Sequence, residues 1–132
     1  MAPLTKAPTE GDILKFDLDK NYTREVVTLL EGTSYAIGSV VGLLTDGANE
    51  GKYTLSPNEA ADPDVGDQVA AGVLIEAVDA SDGDASGVII TRGPAIVARD
   101  ELVFHSSVDD ADKRAAKISQ LVTLGIIARD NA

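Results

Sequence analysis

The chain has 132 residues, a formal net charge of −11, no cysteine, no tryptophan and one histidine. That length predicts one domain with a sizeable core, which with an aromatic fraction of 4% must be built from Val, Ile, Leu and Ala. The inventory excludes disulfide staples and thiolate metal sites, and the acidic field disfavours contact with nucleic-acid phosphates.

The charge is uneven. Residues 46–87 hold ten acids against Lys52 alone, so this segment carries −9 and the rest sums to −2. The absence of cysteine suits a protein made in a reducing cytosol. Met1-Ala-Pro-Leu-Thr-Lys has no apolar core like that of a signal peptide, and no apolar run reaches membrane-spanning length.

In chain order, residues 1–12 hold two prolines and a glycine among polar residues and predict a flexible arm. Residues 13–22 alternate apolar and polar, with Ile13 and Leu14, then Phe16 and Leu18, giving an extended segment with one sticky face. The arm is therefore drawn over residues 1–22, and a β-rich domain over 23–132. Residues 24–30 predict a β-branched strand, Glu31 to Ser34 a turn, and Val40 to Thr45 a second strand. Gly38 and Gly42 mark a close backbone approach or a bulge. Lys52 to Leu55 predicts a short strand, and residues 56–67 a polar loop. Strand returns over Gln68 to Val78, then over Val88 to Thr91 and Ala95 to Ala98, the last two flanking a bend at Arg92-Gly93-Pro94. One helix closes the chain. Ser107 predicts its N-cap, Ala111, Ala115, Ile118 and Val122 an apolar stripe beside Leu121, and Gly125 its C-terminal cap. Ile126 to Ala128 can pair as a final strand.

Catalytic and metal chemistry finds little support. The loop Asp79 to Asp84 resembles a calcium loop, but counted from Asp79 glycine falls at position five and Ile90 at twelve, where that loop needs glycine at six and glutamate at twelve. His105 lies near Ser106 and Ser107, without a triad motif. No phosphate-binding glycine loop is present, and Tyr22, Tyr35 and Tyr53 are scattered rather than grouped as a sugar platform. No catalytic residue, metal or cofactor is expected. Arg92 can contact a neighbouring subunit.

Several pieces in this order resemble the phage lambda-type head decoration protein family: Tyr22-Thr-Arg-Glu-Val-Val-Thr, Gly38-Ser-Val-Val-Gly42, Gly51-Lys-Tyr53, Gly72 to Asp79, Arg92-Gly-Pro-Ala-Ile-Val97, Leu102 and Leu124-Gly-Ile126. The resemblance covers residues 16–129 and lies in their order rather than in any one motif. It implies a small, mainly β domain of β-clip-like kind with one C-terminal α-helix and a flexible N-terminal arm. It implies a homotrimer on the outer surface of an expanded head, clamping the major capsid protein, with no enzymatic activity, nucleic acid or membrane involved. The apolar arm residues Ile13, Leu14, Phe16, Leu18 and Tyr22 would then touch the capsid. Two alternatives stand beside this reading, a trimeric β-fold enzyme of dUTPase-like architecture and a host-surface-binding appendage. The first needs a glycine-rich C-terminal tail, and the chain ends Ala128-Arg-Asp-Asn-Ala132.

Overall fold

A computed structural model describes residues 9–130. Its elements run α1 (Glu10–Ile13), β1 (Leu14–Asp17), α2 (Lys20–Thr23), β2 (Arg24–Leu29), β3 (Ser34–Tyr35), β4 (Val40–Leu43), β5 (Tyr53–Leu55), β6 (Ala70–Leu74), β7 (Val78–Asp79), β8 (Ala85–Ile90), β9 (Ala95–Ala98), a 3-10 turn (Arg99–Glu101), α3 (Ala111–Thr123) and β10 (Ile126–Arg129). The domain is mainly β with one C-terminal helix of any length, as the alternation predicts. The four-residue helices α1 and α2 are additions.

The strands divide into three sheets. A closed barrel runs β2-β5-β4-β6-β8, a three-stranded sheet runs β1-β9-β10, and β3 pairs with β7. The longest pairing, between β2 and β8, aligns Arg24 with Ile90 and Leu29 with Ala85. A single parallel pair, Leu29 with Tyr53, closes the ring.

The apolar doublets of the sequence explain how this barrel is held. Side chains alternate across a strand, so neighbours in β4, β6 and β8 serve different cores. Val41, Leu74 and Ile89 face one cluster, shared with Leu29 and Tyr35. Val40, Val73 and Ile90 face the other, shared with Ile13, Val97, Leu121 and Ile126. At these positions the three strands are buried on both faces, which is why Val40-Val41, Val73-Leu74 and Ile89-Ile90 read as adjacent apolar pairs. On β2, in contrast, Val26 is 74% exposed.

Gly38 and Gly42 lie at close backbone approaches, as expected: a Cβ on Gly38 would overlap the carbonyl of Glu101, and one on Gly42 that of Asp67. At the bend, a Cβ on Gly93 would likewise overlap the carbonyl of Gly125. Gly125 itself has φ +87°, the left-handed value of a helix C-terminal cap.

The helix starts later than Ser107 predicts. Asp110 is the N-cap, accepting from Lys113 N at 2.8 Å. The Ser107 hydroxyl is engaged elsewhere, accepting from Asn58 N at 2.9 Å and lying 2.8 Å from His105 Nδ1. The buried face of α3 also differs from the predicted stripe. Lys117 and Leu121 point inward, while Ala111, Ala115 and Val122 are exposed.

Candidate functional site

The sheet β1-β9-β10 covers the second core with one face and leaves the other open. Leu14 pairs with Val97, and Val97 with Ala128, forming a row turned toward the core. One step along, Phe16 pairs with Ile96 and Ile96 with Ile127. This second row faces outward, with Phe16 46% and Ile127 44% exposed. Leu14 and Phe16 are two apart and in a regular strand would share a face. The register shifts between them, so two steps on β1 match one on β9. That bulge turns Leu14 in and Phe16 out. Beyond the strand, Leu18 N donates to Pro94 O at 3.0 Å, and its side chain is 61% exposed. Among the described strands β1 pairs only with β9, so its far edge is open.

Next to this face, the segment from Asp17 to Arg24 is tied to the barrel. Arg92 donates to the Tyr22 carbonyl and to Glu25 Oε1 at 3.0 Å, with its guanidinium carbon 5.3 Å from the Tyr22 ring centre. The Asp17 carboxylate accepts from Thr23 Oγ1 at 2.7 Å and from Arg24 Nε at 3.1 Å. Burial alone would raise the Asp17 carboxyl, but these hydrogen bonds together hold it below its ordinary 3.8.

These positions revise the expected arm. Ile13 is 1% exposed and belongs to the core, because α1 ends by tucking it under the sheet. Leu14 packs against the same core. Residues 10–22 are built into the body through α1, β1 and α2. The first eight residues of the expected arm lie outside the described residues. Phe16, Leu18 and Tyr22 remain as exposed apolar side chains, and the fold brings Tyr22 and Arg92 together. Ile96 and Ile127 complete the outer row and escaped sequence reading. Their signal was the alternation inside Ala95 to Ala98 and the doublet Ile126-Ile127, where one residue of each pair must face away from the core.

A second feature that sequence reading missed is Lys117. It is 1% exposed, and its ammonium donates to Ser56 Oγ at 2.9 Å, to Pro57 O at 2.6 Å and to Gln68 O. Burial lowers its pKa from 10.5, with the Asp67 charge acting in the opposite direction. Lys117 thus fastens α3 to the polar loop beneath it.

The remaining chemical candidates are occupied by turn structure. Asp79 accepts from Ser81 N and Oγ at 3.0 and 2.6 Å, and Asp84 pairs with Lys52 at 2.7 Å. His105 Nδ1 accepts from Ser107 N at 3.0 Å, which places its proton on Nε2 when the ring is neutral. Among the described residues, no group of three His, Cys, Asp or Glu side chains is arranged to hold a metal. Among the same residues, no helix is long and apolar enough to cross a membrane.

No curated protein matches the chain. The profile of one family, described as Bacteriophage lambda head decoration protein D, matches residues 3–126.

Proposed function

The chain belongs to the bacteriophage lambda head decoration protein D family, and on that premise we propose that it binds the outside of the phage head as trimers and stabilises it. The family makes it a structural component of the virion capsid. The observation that carries the reading is the family match over residues 3–126. The open sheet face supports it, since a row of apolar side chains in register across three strands invites a partner. We take Phe16, Leu18, Ile96 and Ile127 as the contact with the major capsid protein, with Tyr22 at its margin. The free edge of β1 can add to a capsid-protein strand. Three copies on one trimer would act together, so modest single contacts become a firm grip through effective concentration.

The test is co-sedimentation with expanded, undecorated heads. The wild-type chain should pellet with heads. Phe16→Asp with Ile127→Asp should remain folded by circular dichroism and stay in the supernatant. Full binding by that double variant would move the contact off this face. Deleting residues 1–8 measures what the segment ahead of α1 adds to the grip.

A further inference from the structure

Two grooves lie apart on the surface, one along a flank of α3 and the other beyond the helix's junction with β6. On one flank, Ala111, Ala115 and Ile118 form a groove with Phe104, Arg99 and Arg114. Val122 extends the same helical row and is 52% exposed. At the junction, Gln120 Oε1 accepts from Ala70 N at 2.7 Å, joining the helix to β6. Beyond that junction, a second groove is lined by Leu43, Asp46, Asp64, Val69 and Ala71. Val69 there is 52% exposed. Each groove thus has an apolar floor with charge at its rim, and the charges are opposite. Arg99 and Arg114 rim the first, and Asp46 and Asp64 the second. Arg99 also holds Asp130 at 3.6 Å, and both side chains are largely open to water.

A patch cannot mate with itself around a three-fold axis. Each copy must present two different, complementary faces. We propose that these two grooves are those faces: the Arg99/Arg114 groove of one copy receives the Asp46/Asp64 rim of the next, around a ring of three. The inference rests on the trimeric reading above and adds which surfaces meet. It also explains why Ala111, Ala115 and Val122 of the predicted apolar stripe of α3 are left exposed by their own chain. Opposite charges at the rims set the register of docking and repel the reversed arrangement.

Charge reversal tests it. Arg114 and Asp46 are both exposed, so Arg114→Glu and Asp46→Lys should each stay folded by circular dichroism. Each single variant should fall from trimer to monomer in light scattering. One chain carrying both substitutions should recover the trimer, because every contact then holds the reversed pair. Mixing the two single variants should not recover it, since any ring of three built from two chain types keeps at least one like-charged contact. If the wild-type chain is trimeric and both single variants remain so, the inference falls and the trimer stands. If the wild-type chain is monomeric in solution and by cross-linking on heads, both the inference and the trimer fall. Co-sedimentation would still report decoration of the head independently.

Discussion

The strand β1 and the helix α3 carry equally clear apolar patterns and use them in unlike ways. In β1 the pattern is split by a bulge, so Leu14 closes the core and Phe16 faces outward. In α3 the most regular apolar row, Ala111 to Val122, lies largely outside, and the helix is anchored by Leu121 and a buried lysine. Periodicity announces that an element has two sides. It does not say which side the chain itself will cover, least of all in a protein made to sit on another.

The sharpest test of how α3 is seated lies at its end. Gly93 N donates to Leu124 O at 2.8 Å, and a Cβ on Gly93 would overlap the Gly125 carbonyl. Gly93→Val should therefore abolish most soluble protein, because backbone on both sides would have to move. Ala95→Val adds bulk at a site only 1% exposed and should cost about 1–3 kcal/mol by overpacking. Comparable, near-native melting of both variants would remove the close-approach argument.

For β1, Ile13→Ala should cost about 2–5 kcal/mol in urea unfolding, while Phe16→Ala should change stability by under ~1 kcal/mol and weaken head binding. If Ile13→Ala leaves stability intact and abolishes binding, the N-terminal segment is an arm after all. The same reasoning redefines any truncation. Deleting residues 1–20 would remove Ile13 and the strand bonded to β9, so loss of binding by that form would report unfolding.

For α3, Lys117→Met should cost about 2 kcal/mol, since Ser56 Oγ and the carbonyls of Pro57 and Gln68 would lose their shared donor inside the protein. Val122→Ala on the outer row should stay within about 0.5 kcal/mol. A reversed ranking in urea unfolding would mean that the stripe, and not the lysine, seats the helix.

The smallest effect concerns acid. The Asp17 carboxyl titrates lower in the folded chain than its ordinary 3.8, so near and below that value the unfolded chain holds more protons. Stability from this group is complete above the unfolded value and is lost as pH falls through the folded one. Asp17→Asn should lower stability at neutral pH by about 1 kcal/mol and flatten the fall in melting temperature between neutral pH and acid. An unchanged acid slope would show that Asp17 does not fasten β1 to Thr23 and Arg24.

Much of the strand layout was legible because Val, Ile and Leu doublets bounded by glycine leave few choices. The strands over Arg24 to Leu29, Val40 to Leu43 and Ala95 to Ala98 follow directly from them, and Gly42, Gly93 and Gly125 sit at contacts that exclude a side chain. The arm was drawn too long because alternation around Ile13 is the same whether a strand is free or paired with a partner eighty residues away. The bulge at Lys15 leaves no local mark, so the outward row of Phe16, Ile96 and Ile127 could not be assembled from the sequence. Ser107 looked like a cap because its competitors for hydrogen bonds, Asn58 and His105, are fixed by the tertiary fold. Lys117 was hidden by its residue type, since a lysine is read as surface unless its oxygen partners are known.

β9 is flanked on one side by β1 and on the other by β10, so the first and last strands of the described chain share one neighbour. During synthesis β1 precedes β9 and must wait until Ala95 to Ala98 has been made. β2 waits almost as long for β8. Such distant pairings make folding slow relative to local structures and leave apolar strands exposed in the interval. A ribosome that stalls or terminates before residue 95 would release a chain that lacks β9, the strand with which β1 pairs. The outer apolar row is thereby assembled only once Ile127, its last member in the chain, has been made and paired with Ile96.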